Sequence, residues 1–341
     1  MKKVFSILFA ASLVLILVAP AIPAEKITLR FAIDYPEPSS LYQSLIKPML
    51  DDIEQTSQGR ISITRYLGGI LGKGPENYDM VKTGKVDLTS HATGYTPGRF
   101  PMTDVLTLPG AFENNVASQD DGLAVYERIL YKEFPDTQSV ALHPAQLFYV
   151  YTVDKPIRVM EDFRGLKIRT AGGFVTDALK ALGAAPVPVS LGEVYTSLQT
   201  GVINGVVLGP SAFPGFKLQE VLKHCTRFKF GTTTHVITVN KKTWGNIPAD
   251  LKPLIGQAFK KWGTLQMAMW QKDDTLATKT LSDKGGTTYT LTPAEEARWV
   301  EALKPIVSAW VAGLKAKGLP ADELMTIVRE EGKKRNVPFP Y

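Results

Sequence analysis

The sequence predicts an α/β protein of two lobes, with one long helix that lies across both. Three observations support this prediction. Strands and helices alternate within residues 163–210, a motif from the first part of the chain recurs in the second, and an apolar stripe at helical spacing follows later. Two units of one α/β plan each form a sheet covered by helices, and a long amphipathic helix can join them.

The segment Phe163–Pro210 shows the clearest alternation. It contains three predicted strands and two predicted helices, in the order Leu166–Thr170, Phe174–Leu182, Pro186–Val189, Ser190–Thr200 and Val202–Leu208. Gly172 and Gly173 permit a tight turn into the first helix. The spacing of Ser190 and Glu193 predicts a capping box, in which each side chain bonds the other residue's amide. Because helices join the strands, we expect the strands to run parallel in one sheet.

A short motif links this segment to an earlier one. Residues Glu76–Asp87 align without gaps with Glu193–Asn204, and Glu, Tyr, Thr and Gly recur at identical positions. Each copy is typical of a helix, a glycine that ends it, and a strand. The repeat favours two lobes of the same plan, although chance or a shared way of ending a helix explains so short a match as well.

Loops at strand ends in the first lobe bring further polar residues into consideration. They carry Asp34 after the strand Ile27–Ile33, Lys73 in the glycine-rich loop Gly68–Gly74, and His91 and Tyr95 after the strand Val86–Ser90. The glycine-rich loop does not have the spacing of a nucleotide-binding Walker loop. We therefore interpret it as a flexible loop.

The predicted long helix begins near Asn246 and Pro248 and ends before Gly285. Its apolar residues recur at three- and four-residue steps, namely Leu251, Leu254, Ile255, Ala258, Trp262, Leu265 and Met269. About 36 residues at ~1.5 Å each give a rod of about 54 Å, which is long enough to brace both lobes.

The N-terminal segment predicts export. Met1–Ala24 has two lysines, an apolar run and then small residues, as a secretory signal does, and we place cleavage after Ala24. An uncleaved anchor is the alternative, but the apolar run is short for a bilayer span. We therefore expect an exported, soluble protein. The net charge of +6 is spread along the chain and does not predict nucleic-acid binding.

The chemistry points to an anion site at Arg169. Ligands of open α/β sheets bind beyond the carboxyl ends of strands, where free helix amides favour anions. Arg169 lies at such an end and offers a fork of donors that matches a carboxylate. The alternative is a surface arginine paired with an acid such as Asp162.

Other chemistry has little support. The four histidines lack metal-ligand spacing, and the chain has no GxSxG elbow. The lone Cys225 is typical of a small buried residue. We therefore expect neither a metal, nor a cofactor, nor catalysis.

Several of these features together resemble the substrate-binding proteins of TRAP (tripartite ATP-independent periplasmic) transporters. The resemblance rests on residues 163–169 (FRGLKIR), on the run from Glu193 to Gly201, and on the long helix. It implies a periplasmic-binding-protein fold (type II-like) that closes over an organic acid. It also implies delivery to integral-membrane permease subunits driven by a sodium gradient.

The resemblance also implies site residues. The arginine that grips the ligand carboxylate in this family matches Arg169, and a second family arginine is replaced here by Tyr149. The later family motif becomes apolar here, at 206–210, which disfavours a polyhydroxylated ligand. Contacts from the first lobe are expected near Asp34, Lys73, and His91 to Tyr95.

From this we predict a monocarboxylate ligand with an apolar or aromatic body, or a 2-oxo or 2-hydroxy acid. The expected ligand-binding residues, beyond those already named, are Gly172, Leu191, Leu208, Pro210 and Phe213. The predicted lobes are 25–146 plus 235–280, and 147–234 plus 281–341. Two alternatives stay open: a module that serves a signalling partner, and an exported hydrolase or isomerase on a similar fold.

Overall fold

The computed structural model describes residues 26–109, 115–144, 146–334 and 339–341. The predicted signal segment Met1–Ala24 lies outside these residues. The α/β prediction is confirmed, because the described strands form two separate sheets flanked by helices.

The first sheet has five strands in the order β2-β1-β3-β10-β4. Their bounds are β1 (Ile27–Ala32), β2 (Ile61–Tyr66), β3 (Leu88–Ala92), β4 (Thr137–Pro144) and β10 (Thr234–Asn240). Strand β1 is parallel to β2 and β3, whereas β10 is antiparallel to β3 and β4. The last strand to join this sheet therefore returns from a much later part of the chain.

The second sheet has six strands in the order β11-β9-β5-β8-β6-β7. Their bounds are β5 (Tyr149–Thr152), β6 (Lys167–Thr170), β7 (Ala185–Pro188), β8 (Gly205–Leu208), β9 (His224–Arg227) and β11 (Thr287–Thr290). Strand β6 is parallel to β7 and β8, as the alternation of strands and helices predicted. Strand β5 is antiparallel to β8 and β9, so the whole sheet is mixed.

The α-helices of the described chain cover these sheets. Their bounds are α1 (Lys47–Thr56), α2 (Asn77–Lys82), α3 (Asn115–Arg128), α4 (Phe174–Ala181), α5 (Val194–Gln199), α6 (Ala212–Phe216), α7 (Lys241–Asn246), α8 (Lys252–Asp283), α9 (Pro293–Ala316) and α10 (Ala321–Lys334). Helix α9 inserts Trp299 into the core, where its ring contacts Phe163 and Phe228. None of the described helices combines the length and the apolar character that a membrane crossing requires.

The long helix α8 contacts elements of both sheets. It packs against α1 and β4 on the first side and against β11 on the second. It is 32 residues long and begins at Lys252, later than predicted. The reason is that Asn240 caps a separate helix, α7, by accepting from the amides of Lys242 and Thr243.

Only half of the predicted capping box at Ser190 forms: the Glu193 carboxylate accepts from the Ser190 amide, but the Ser190 side chain does not cap the helix. The Ser190 hydroxyl donates to the Glu193 carboxylate at 2.6 Å instead of accepting from its amide. The Glu193 amide bonds the Ser190 carbonyl, which makes a short 3-10 turn over Leu191–Glu193. Helix α5 therefore begins only at Val194.

The chain passes between the sheets three times: after β4, after β9 and, through α7 and α8, after β10. The lobe boundaries built on these crossings stay a prediction. Helix α10, which that prediction placed in the second lobe, packs against α3, in the chain segment between β3 and β4 of the first sheet. The C-terminal helices therefore contact both units.

Candidate functional site

A cavity lies between the two sheets, where side chains from both converge. It holds about 600 Å³ of empty space, including its opening to solvent. Small-molecule sites are typically lined by apolar and aromatic side chains with a few placed polar groups. Its aromatic lining residues are Tyr35, Tyr95, Phe148, Phe216 and Trp270. Its aliphatic and polar lining residues are Leu41, Ala92, Ala171, Leu191, Leu208, Ala212, Ser39, Arg169, Gly209, Ser211, Thr233 and His235.

Arg169 brings a positive charge to this largely apolar cavity. It lies near the end of β6, and only 2% of its surface is exposed. Its Nε donates to the carbonyl of Val189 at 2.8 Å, which fixes the plane of the guanidinium. Across the described residues, it forms no ion pair with an acidic side chain. A buried charge without a counterion is costly, so this arginine is set up to receive an anion.

Tyr95 approaches the same place from the first sheet. It ends a 3-10 turn, Thr93–Tyr95, that follows β3. Burial, and after it the charge of nearby Asp34, raises the pKa of Tyr95 to about 12. The hydroxyl therefore stays protonated and can donate to a ligand anion.

Asp34 lies just behind Tyr95. It accepts a hydrogen bond from Asn77 at 3.1 Å. Burial raises the pKa of Asp34, and the bond from Asn77 and the charge of Arg169 oppose that effect. Gly74 permits this packing, since a Cβ there would lie 2.4 Å from the Tyr95 ring and 2.7 Å from an Asp34 carboxylate oxygen.

Residues on the side of the first sheet contact residues on the side of the second sheet around the cavity. Gly172 has φ +93°, and a Cβ at this position would lie 2.0 Å from the carbonyl oxygen of Gly94. A Cβ at Gly215 would lie 2.8 Å from the Cα of Ser39. At the rim, Lys73 and Glu193 form an ion pair of 2.8 Å. The structure therefore has the cleft closed.

Four of the predicted ligand-binding residues line the cavity: Arg169, Tyr95, Leu191 and Leu208. Four more lie at its border. Asp34 packs behind Tyr95, Lys73 pairs across the rim, Gly172 contacts Gly94, and Pro210 stands between the lining residues Gly209 and Ser211.

The remaining three predicted residues do not line the cavity. His91 is buried among Tyr78, Phe100 and Phe134. The ring of Tyr149 lies under Arg227, with 4.8 Å between the ring centroid and the guanidinium carbon. The ring of Phe213 packs on Tyr151 at 4.8 Å. In each case the side chain is engaged with neighbours away from the cavity.

Thirteen of the seventeen lining residues were not predicted from the sequence. The bulky ones among them are Tyr35, Phe148, Phe216, His235 and Trp270. Tyr35 directly follows Asp34 in the loop after β1, so its position at the end of that strand could have predicted it. Phe148 directly precedes Tyr149, the first residue of β5, which was predicted in its place. Trp270 lies one residue beyond the last member of the predicted apolar stripe.

Metal binding finds no support in the described part of the chain. No group of three or more His, Cys, Asp or Glu side chains there is arranged to hold a metal ion.

A cavity between two sheets that contains a buried arginine is an arrangement suited to binding a small anionic solute. Residues 31–313 match the family of bacterial extracellular solute-binding proteins, family 7 (DctP). The chain belongs to this family, and the resemblance to TRAP solute-binding proteins is confirmed. Since its members are receptors, the chain is a binding protein and not an enzyme.

Known relatives are similar over different shares of their length. The C4-dicarboxylate-binding periplasmic protein DctP of Rhodobacter capsulatus is 31% identical over 181 residues. That match covers 52% of this chain and 54% of the relative, so the chain spans about half of that relative's length.

Solved structures are similar over nearly the whole fold. A TRAP solute-binding protein from Rhodoferax ferrireducens T118, in complex with copurified benzoate, has a TM-score of 0.86 and 28% identity. A marine metagenome TRAP protein specific for aromatic acid ligands, crystallised with 3-hydroxybenzoate, has a TM-score of 0.86 and 26% identity. Each comparison covers 91% of this chain and 99% of the other.

Proposed function

We propose that this protein is a periplasmic receptor for an aromatic monocarboxylate, bound in the cavity between the sheets. The observation that carries the proposal is Arg169, a buried cation without an acidic partner among the described residues, surrounded by aromatic side chains. The ligand carboxylate would accept bidentate hydrogen bonds from its two terminal nitrogens. The hydroxyl of Tyr95, from the other sheet, would donate to the same carboxylate.

The rest of the cavity would receive the ring. Phe148, Phe216 and Trp270 supply flat apolar surfaces, and aromatic rings pack well edge-to-face or offset against such groups. Benzoate and 3-hydroxybenzoate in the two structural neighbours support a ligand of this size and type. A compact 2-oxo or 2-hydroxy acid with an apolar body would meet the same charge and the same walls.

A C4-dicarboxylate, named for the Rhodobacter relative, suits this cavity less well. Among the described lining residues, Arg169 is the one side chain with a permanent positive charge. A second carboxylate would be buried against aromatic and aliphatic groups without a counterion, which costs several kcal/mol.

We also propose export and delivery to a membrane partner. The family is extracellular, and Met1–Ala24 has the composition of a cleaved signal. Membership among TRAP solute-binding proteins supports integral permease subunits as the partner. Uptake of labelled benzoate by cells that contain both receptor and permease should disappear when either is deleted. Uptake that survives loss of the receptor would favour a signalling role.

A thermal-shift screen of the mature protein tests the ligand class directly. Separate pools would contain aromatic, 2-oxo, branched aliphatic, dicarboxylic and sugar acids. A ligand at 100 times its Kd stabilises the native state by about 2.7 kcal/mol, so a binder should raise the melting temperature clearly. A shift with dicarboxylates or sugar acids alone would contradict the proposal.

A further inference from the structure

Asp34 places a carboxylate of this chain close to the arginine site. It lies just after β1, and the position of a Cβ on Gly74 would be 2.7 Å from one of its carboxylate oxygens and 2.4 Å from the Tyr95 ring. The other carboxylate oxygen accepts from Asn77 at 3.1 Å. Across the described residues, Asp34 forms no ion pair with a lysine or an arginine. Packing and hydrogen bonds from neutral groups therefore hold this negative charge beside Tyr95.

The charges of Asp34 and Arg169 act on each other although the two side chains form no ion pair. Burial raises the pKa of Asp34, while hydrogen bonds from its own amide and from Asn77, and then the charge of Arg169, lower it. Both charges also act on Tyr95. Burial has the largest effect on the pKa of Tyr95, and beyond it the charge of Asp34 raises this pKa and the charge of Arg169 lowers it. Arg169 is therefore the cation that favours the ionised form of Asp34.

The charged groups of the loop that packs on Asp34 are engaged with other partners. This is the glycine-rich loop Gly68–Gly74, which approaches the Asp34 Cα and Cβ. Its Lys73 forms the ion pair with Glu193 across the rim. Glu76, just after the loop, accepts from the Lys73 amide at 2.7 Å. None of these groups supplies Asp34 with a counterion.

The ionisable residues of the cavity wall keep one protonation state near neutral pH. Burial raises the pKa of Tyr35 well above its usual value and lowers the pKa of His235 to about 4. The tyrosine therefore stays protonated and the histidine stays neutral. Within the described surroundings of Arg169, Asp34 is the group whose charge can change when an anion arrives.

We infer that Asp34 competes with the ligand carboxylate for the charge of Arg169, so that the receptor binds its ligand together with one proton, which the Asp34 carboxyl holds. This inference rests on the proposed function and adds a proton to the bound state. When two carboxylates share one site, the repulsion between them raises the pKa of one of them. The ligand carboxylate would contact Arg169 directly and stay ionised, whereas Asp34 has no such contact. The proton comes from solvent and returns to it when the ligand leaves.

The direction of the pH dependence follows from this linkage. The loaded receptor binds more protons than the empty one at any pH between the lower pKa of Asp34 in the empty site and its higher pKa in the loaded site. Ligand affinity therefore increases as the pH falls through this range. One linked proton limits the change to about tenfold per pH unit.

Isothermal titration calorimetry of the mature protein with benzoate at pH 6, 7 and 8 tests the linkage. Titrations at one pH in buffers of different ionisation enthalpy count the protons taken up. We expect the parent protein to bind about threefold or more tightly at pH 6 than at pH 8, with net proton uptake of up to one. Asp34→Asn keeps the size of the side chain and removes its charge. This variant should bind benzoate more tightly than the parent at pH 8, and its affinity should depend on neither pH nor buffer.

Asp104→Asn is the matched control. Burial, and after it the charges of Glu133 and Asp177, raises the pKa of Asp104 to about 7. Its carboxylate lies beside the start of α4, since a Cβ on Gly173 would be 3.3 Å from one of its oxygens. Asp104 is not among the residues that line the cavity. This acid therefore titrates near neutral pH at another place, and its replacement should leave the proton uptake on benzoate binding unchanged.

Three outcomes would overturn the inference alone, because benzoate would still bind. They are a parent affinity that does not change with pH and buffer, proton uptake that persists in Asp34→Asn, and proton uptake that disappears in Asp104→Asn. Failure of the parent protein to bind any aromatic acid would overturn the proposed function as well. If Asp34→Asn does not fold, proton uptake by the parent protein and by Asp104→Asn still decides between these outcomes.

Discussion

Replacing Arg169 by methionine separates ligand recognition from stability. The substitution keeps most of the buried stem and removes the charge. Hydrogen bonds to charged groups contribute about 1.5–3 kcal/mol, and about 1.4 kcal/mol corresponds to a tenfold change in affinity. We therefore expect binding of an aromatic monocarboxylate to weaken by roughly 10- to 150-fold.

The unliganded protein should lose little stability from this change. Arg169 forms no ion pair in the described chain, and the buried Asp34, whose ionised form its charge favours, can respond by binding a proton. The variant loses the hydrogen bond from Nε to the carbonyl of Val189 and the one between the guanidinium and the Tyr95 hydroxyl. The free energy of unfolding, measured with urea, is expected to fall by no more than about 2 kcal/mol. Arg169→Lys should restore only part of the affinity, because an ammonium cannot bind a carboxylate bidentately.

Arg227→Met is the contrasting control. Arg227 bonds both carboxylate oxygens of Asp274, at 3.0 and 2.9 Å, and lies outside the cavity lining. Its removal leaves Asp274 unpaired, so this variant should lose stability and keep its affinity. Affinity within threefold of the parent in Arg169→Met, measured by calorimetry, would refute the assignment of Arg169 as the carboxylate site.

Three further perturbations test closure and buried charge. Gly172→Ala places a Cβ against the carbonyl of Gly94, so ligand affinity should fall at least tenfold, and small-angle scattering should show a larger radius in the presence of ligand. Lys73→Ala removes the exposed ion pair to Glu193, so calorimetry should show a loss of less than about fivefold that disappears in 0.5 M salt. Burial lowers the pKa of His91 from 6.5 to about 3. Between pH 6.5 and pH 3 the unfolded chain therefore binds more protons than the folded protein, so the free energy of unfolding decreases as the pH is lowered. His91→Phe removes that dependence, so its urea stability relative to the parent should rise by about 2–3 kcal/mol from pH 7 to pH 4.5.

The sequence predicted the elements that local chemistry determines. The turn at Gly172 and the position of Arg169 at the end of β6 followed from residue types and spacing. The parallel arrangement of β6, β7 and β8 followed from the helices that join them. The Ser190 half of the predicted capping box failed because the hydroxyl had a competing partner, the Glu193 carboxylate, and spacing alone cannot rank that carboxylate against the Glu193 amide.

The cavity lining was harder to predict because it depends on contacts between distant segments. Tyr149 was chosen by alignment with a family arginine, but Arg227 from β9 holds its ring elsewhere. His235 and Trp270 enter the cavity only because β10 returns to the first sheet and α8 lies across both. No local pattern encodes such a return, so the polar group at His235 became visible only in three dimensions.

The same buried arginine explains how the proposed receptor would distinguish its loaded form from its empty one. Closing the cleft without ligand leaves the charge of Arg169 unpaired among aromatic groups, which raises the free energy of the closed empty state. A ligand carboxylate removes that cost in the closed state, in which Tyr95 and the rest of the first sheet lie over it. A ligand can shift such an equilibrium only by its differential affinity for the two states, and here that difference arises at one ion pair. The permease would then encounter a closed surface chiefly when the cavity is occupied, so one uncompensated charge would serve both recognition and delivery.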